Sequence, residues 1–236
     1  MAEMALGYGS EFQLLRFLGH HRNYLNAKIS DVLKIDSDIY WLDYPEDYSR
    51  VSCDGEYDGV SCFNSLNSCE YSKILNLWKD YWPQQGKPQT WDGIFKVNDT
   101  WFFVEAKAHK NEIKSDCKST DEQNKIKIQT AFDESVNMFK STKTGIEWLN
   151  CCYYQLANRL AFVNFCTKIG IKAKILYLYF INGYDKPETD GELNIKTEDQ
   201  WKSIWQNEYK ELGLVKENLQ DVVFHVYIDC FNLNNK

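Results

Sequence analysis

The chain lacks the features that would place it in several large protein classes. No apolar run approaches the roughly 20 residues that a membrane-spanning helix needs. The opening stretch MAEMALGYGSEFQLLRFLG has neither the basic flank nor the small-residue cleavage site of a secretory signal. A cytoplasmic protein with no membrane partner is therefore expected. The eight cysteines include no CxxC pair and no zinc-type Cys/His spacing, so they are expected to stay reduced and pack as small hydrophobes, the loose cluster of Cys53, Cys62 and Cys69 included. Phosphate-loop (GxxxxGK(S/T)), zinc-protease (HExxH) and nucleophile-elbow (GxSxG) patterns are missing, and with them the sequence basis for those three chemistries. Without an internal repeat or a linker, residues 1–236 read as one domain.

What the chain has is a core. Of its 236 residues 44% are hydrophobic and 15% aromatic, enough for one α/β domain. The net charge of −7 argues against a nucleic-acid partner only until it is located. Residues 36–60 hold eight acids against Arg50 alone, so they account for all of it and the remainder is neutral. This Tyr-rich acidic stretch reads as a loop with a short strand at IYWL, within an insertion spanning about 36–90.

Periodicity places the other elements. A helix is expected over 10–29, capped by Ser10, with Phe12, Leu14, Leu15, Leu18, Tyr24 and Leu25 on its apolar face. Further helices are expected over 68–82, 126–141, 147–169 and 197–213. The apolar run AKILYLYFI, 173–181, reads as a central strand covered on both faces, and VVFHVYI, 222–228, as a last strand.

The chemistry concentrates in WDGIFKVNDTWFFVEAKAHKNE, residues 91–112. Strand alternation over 101–108 puts Trp101, Phe103, Glu105 and Lys107 on one face and Phe102, Val104, Ala106 and Ala108 on the other. If Asn98-Asp99 is a two-residue loop, Val97 faces Thr100 and Asp92 falls directly across from Glu105. Directly opposed side chains have Cβ atoms about 4.5–5.5 Å apart. Two carboxylates so placed repel, and a divalent cation between them would make the arrangement favourable. Glu11, spaced three, four and seven residues from Leu14, Leu15 and Leu18, is expected on the inward face of the first helix.

Asp92 followed by Glu105-Ala106-Lys107 on the next strand resembles the PD-(D/E)XK nuclease superfamily, with Trp91 where that family often has proline. WDGIF, VEAKAH and YYQLANRLAFV together are similar to restriction-endonuclease-like bacterial proteins, a likeness that covers most of the chain. The resemblance implies a restriction-endonuclease-like mixed sheet of four or five strands flanked by helices. It implies a nuclease in which Asp92, Glu105, the Ala106 carbonyl and Glu11 hold Mg²⁺ or Mn²⁺, and Lys107 and Gln155 assist at the scissile phosphate. Asn158 and Arg159 stand behind Gln155, and His109 shares the Lys107 face. The expected substrate is DNA, cut by metal-activated water to leave 5'-phosphate and 3'-hydroxyl ends. Double-strand cutting would favour a homodimer. Two other readings fit the same residues. One is a catalytically inert nuclease-like protein that docks a protein or nucleic-acid partner, and the other is a hydrolase of smaller phosphate esters.

Overall fold

The computed structural model describes residues 9–42, 44, 57–85, 89–184 and 193–231. Its centre is a five-stranded mixed sheet in the order β1 (Tyr40–Trp41), β4 (Gly93–Val97), β5 (Thr100–Lys107), β6 (Ala173–Ile181), β7 (Val223–Asp229). A two-stranded ribbon of β2 (Tyr57–Asp58) and β3 (Thr90–Trp91) stands beside it. β4 and β5 form the expected hairpin, with Val97 opposite Thr100 and Gly93 opposite Val104. Asn98 takes the left-handed backbone, φ 52°, that a two-residue hairpin loop requires. β5, β6 and β7 run parallel, which demands crossovers and explains the long helical connections.

Each sheet face has its own core. On one, α1 (Ser10–His20) and α2 (Arg22–Leu33) lay Leu14, Phe17, Leu18, Leu25 and Ile29 against Phe102, Val104, Ala106, Leu176, Leu178 and Val226. On the other, Trp101, Phe103, Ile175, Tyr177 and Tyr179 meet α3 (Ser68–Tyr81), α4 (Glu122–Met138), α5 (Gly145–Leu149), α6 (Tyr154–Lys168) and α7 (Glu198–Glu211). β6 lies inside the sheet and is buried on both faces, as its uninterrupted apolar run implied.

Three expectations need correction. The first helix is two, broken at His21, whose φ of −133° and ψ of 29° lie outside the helical region. Ser10 does not cap it; its hydroxyl donates to Glu112 Oε1 at 2.9 Å. The helix expected over 147–169 is also two, because the strap around Ser115 enters the gap. The Ser115 N–H donates to the Cys152 carbonyl at 2.8 Å, and the Ser115 carbonyl accepts from Tyr154 N–H at 3.1 Å. Ser115 Oγ accepts from Gln155 N–H at 2.8 Å, satisfying one of the orphan donors at the start of α6. A residue 40 positions away thus starts the helix that carries Gln155 and Arg159. Of the acidic segment, residues 43 and 45–56 lie outside the described residues, Cys53 among them; Cys62 is buried and Cys69 exposed.

Phe162 on α6 is the hub of the second core. Its ring centroid lies 4.7 Å from Phe103, 5.2 Å from Trp91 and 5.6 Å from Trp78. Phe162→Ala is expected to cost about 3–5 kcal/mol in urea unfolding. A loss below about 1 kcal/mol would mean that these rings do not close on α6.

Candidate functional site

The hairpin register ends at Gly93, which faces Val104. Asp92 N–H donates to the same Val104 carbonyl at 3.1 Å, so Asp92 and Gly93 both face Val104, as at a bulge, and Asp92 does not stand directly across from Glu105 as the turn geometry implies. The Asp92 side chain turns back to the neighbouring strand, its Oδ2 accepting from Ala106 N–H at 2.7 Å. Its other oxygen takes no hydrogen bond among the described residues.

Glu105 is 2% exposed, and a buried carboxylate is tolerated only when paired and hydrogen-bonded. Here four contacts fill it. Lys107 Nζ and Gln155 Nε2 reach Oε1 at 2.6 and 2.7 Å. Arg159 Nε and Nη2 reach Oε2 at 2.9 and 2.8 Å. Lys107 also donates to Gln155 Oε1 at 2.9 Å, closing a ring of three side chains. Gln155 and Arg159, four residues apart on α6, share one helix face. Arg159 donates further to the Thr90 carbonyl at 2.6 Å and lies 4.3 Å over the Trp91 ring. The guanidinium therefore ties β3, β5 and α6 together through one planar group.

The charges sort accordingly. Burial pushes the Glu105 carboxyl up, but Lys107 and Arg159 outweigh it and hold the group below its ordinary range. Burial lowers the proton affinity of Lys107, and the negative Glu105, Asp92 and Glu112 more than restore it. Lys107 is thus a firmly held ammonium. Asp92 is pushed up to about 8, first by burial and then by the charge of Glu105, against the pull of Lys107 and the Ala106 N–H.

Asp92, Glu105, Lys107 and Gln155 are brought together, and Arg159 joins as a full partner. Glu11 is not: it is exposed. Gln13 and Phe17 are buried with Leu14 and Leu18, which rotates the inward stripe of α1 away from Glu11. Asn158 makes no bond to the network among the described residues; its carbonyl accepts from Gln89 Nε2 at 3.5 Å and its side chain is hydrogen-bonded to Tyr154. His109 lies two residues past the end of β5, beside Glu112 (3.4 Å) and Tyr184 (4.3 Å between ring centroids). Beside the network runs a groove of about 500 Å³ lined by Gln89, Tyr154 and Asn158, the chain neighbours of Thr90, Gln155 and Arg159. One residue went unread in the sequence: Glu208 on α7, 3% exposed. Its spacing of seven and three from Trp201 and Trp205 was the available signal.

Among the described residues no group of three or more His, Cys, Asp or Glu side chains is gathered for a metal ion. What Asp92, Glu105 and the Ala106 carbonyl offer is a small all-oxygen set, the chemistry that suits Mg²⁺ or Mn²⁺. Asp92 fits as it stands, with one open oxygen and poorly compensated charge. Glu105 fits by exchange, because each of its oxygens already carries two donor contacts. Among the described residues no helix is long and apolar enough to cross a membrane. Neither a family model, nor a curated protein, nor a solved structure matches this chain.

Two stability measurements check the electrostatics. Glu105→Ala strands two buried cations and is expected to cost about 3–5 kcal/mol, whereas Asp92→Asn leaves no charge unpaired. With its folded-state proton affinity raised from 3.8 to about 8, Asp92 binds a proton in the folded protein that the unfolded chain has lost across this window. Its contribution is complete below about pH 4 and fades as pH rises to about 8, by at most about 1.4 kcal/mol per pH unit. In chelator-treated protein, the stability of wild type relative to Asp92→Asn should therefore fall between pH 5 and 8. A flat or rising difference would show that Asp92 is well compensated.

Proposed function

We propose that this chain is a divalent-cation-dependent phosphodiester hydrolase acting on DNA, of the restriction-endonuclease-like kind. The observation that carries the reading is the convergence of Asp92, Glu105, Lys107 and Gln155 at one end of a hairpin, with an Asp92 oxygen left open beside a buried ammonium. Stability alone does not call for a second buried acid whose proton affinity the Glu105 charge raises further.

The residues have separable roles. Asp92, Glu105 and the Ala106 carbonyl would hold Mg²⁺ or Mn²⁺, which supplies Lewis-acid neutralisation of the charge that grows on the phosphoryl group. Lys107, kept protonated by Glu105 and Asp92, acts as a fixed positive charge toward the same oxygens and not as a base. Gln155 sets the direction of that ammonium by accepting from it while donating to Glu105. Arg159 holds Glu105 in the ion's absence and is the donor to be exchanged, since its second bond to Thr90 and its seat on Trp91 persist without the first.

A specific observation favours a second reading. Lys107, Gln155 and Arg159 already satisfy both oxygens of Glu105, so that half of the site is complete without an ion. That is what an inert nuclease-like protein docking nucleic acid or a protein partner would show.

Incubation of the purified protein with supercoiled plasmid and with single-stranded DNA, in Mg²⁺, Mn²⁺ or chelator, separates the two. Cleavage requiring the ion and falling by at least about 100-fold in folded Asp92→Asn and Lys107→Ala supports the hydrolase. No cleavage of either substrate by the wild type in either ion would overturn it, and metal-independent DNA binding would then favour the second reading.

A further inference from the structure

The two edges of the sheet are finished differently. β1, at one edge, is two residues long, whereas β7, at the other, runs for seven. Edge strands are ordinarily blunted by shortness, proline, lysine or a bulge. Val223–Asp229 reads VFHVYID, with no proline and no lysine, and pairs with β6 in unbroken register. Ile175 N–H donates to the Val222 carbonyl at 2.8 Å, and Cys230 N–H to the Ile181 carbonyl at 2.9 Å. In a parallel pair these two bonds fix the phase. The even-numbered residues of β7 bond to β6, and His225, Tyr227 and Asp229 turn N–H and C=O outward. None of those outward backbone groups has a partner among the described residues.

A groove of about 340 Å³ follows this edge. Val32 of α2 lines it from one face of the sheet and Trp205 and Tyr209 of α7 from the other, with His225 and Tyr227 between them. Trp205 stacks 4.4 Å from His225, and its Nε1 donates to Tyr227 Oη at 2.8 Å, which fixes that wall against the strand. An extended segment laid in the groove would meet a row of open backbone groups between two apolar walls, the geometry of strand addition.

Charge selects the segment. Lys216 is exposed, lines the groove, and makes no ion pair among the described residues. Leu219 ties it to the start of β7, donating to the Lys216 carbonyl at 3.0 Å and accepting from Val223 N–H at 2.8 Å. Burial first, and then the Lys216 charge, push the His225 ring down to about 3, so the imidazole is neutral and does not compete with Lys216 for an anion. The carboxylate of the strand, Asp229, stands at its other end, half-buried. A strand with a cation beside its start and a carboxylate at its end is complementary to its own reversed copy. Centred on Tyr227, an antiparallel copy brings Asp229 of each chain opposite His225 of the other, beside Lys216. The open groups of His225, Tyr227 and Asp229 then meet one another as hydrogen-bonded pairs.

We infer that β7 is the surface through which two copies of this chain join, edge to edge and antiparallel about Tyr227, into one continuous sheet. β6 separates this edge from β5, so the pairing draws on none of Asp92, Glu105 and Lys107 and stands or falls apart from the phosphodiesterase reading.

Sedimentation equilibrium of the full chain is expected to show a dimer. Lys216→Glu, a change at an exposed residue, sets carboxylates together at both ends of the pair and should weaken the dimer by at least about 10-fold. Asp229→Lys should weaken it likewise, and the two changes combined in one chain should restore it. Tyr227→Cys should form an intersubunit disulfide at that position under mild oxidation, because a hydrogen-bonded antiparallel pair holds its Cα atoms about 5.5 Å apart. Oxidised wild type is the control for the native cysteines, and mass spectrometry maps the bond. A monomer at every concentration would overturn the inference and leave the edge to a strand from another protein. A dimer that ignores both charge reversals, or that never yields the disulfide, would overturn it by placing the interface elsewhere.

Discussion

The structure depends on keeping the Glu105 carboxylate charged at 2% exposure. An isolated carboxylate there would be far more costly than a whole domain's net stability, so its surroundings have to be built. They are supplied from two elements. Lys107 comes from the same strand, and Gln155 and Arg159 from α6. The requirement that α6 begin where Gln155 can reach is met by Ser115, whose backbone and hydroxyl interrupt what would otherwise be one long helix. Arg159 then passes the constraint on to β3 through the Thr90 carbonyl and the Trp91 ring. The sheet, its crossover helix and the small ribbon are registered on one side chain.

The same carboxylate sets the functional question. Four donor contacts satisfy it fully, which is how a buried ion pair is made stable without a ligand. Yet Asp92 keeps an open oxygen and an undercompensated charge, and Asp92 gains most from an added cation. The site thus has one half complete and one half lacking a positive partner. An ion drawn to Asp92 has to compete with Arg159 for Glu105, while Arg159 has other bonds to retain.

The parts of this arrangement legible in the sequence are those fixed by local geometry. Period-two alternation and a two-residue loop set the hairpin register from Val97 opposite Thr100 to Gly93 opposite Val104, while the extra residue at Asp92, which bonds to Val104 as well, is not marked by any local pattern. An apolar run without alternation marked β6 as doubly covered. Gln155 stood out as a polar residue inside an apolar helix. The failures share a physical cause. Three leucines alone point Glu11 inward, whereas Phe17 and Gln13 also enter the core and turn the stripe. The break before α6 depends on Ser115, 40 residues earlier, and no local pattern records it. Arg159 reads in sequence only as a neighbour of Gln155, because its partners, Glu105 and Thr90, come from distant strands.

The exchange at Glu105 is the point on which this account turns, and the Arg159 Nε–H signal in nitrogen-resolved NMR observes it directly. In chelator the bond to Glu105 should hold that proton in slow exchange with water. Adding Mg²⁺ should shift the signal and speed its exchange, with the same ion concentration producing no change in Asp92→Asn. An Arg159 signal that stays fixed while Mg²⁺ binds, or that moves equally in Asp92→Asn, would contradict the account.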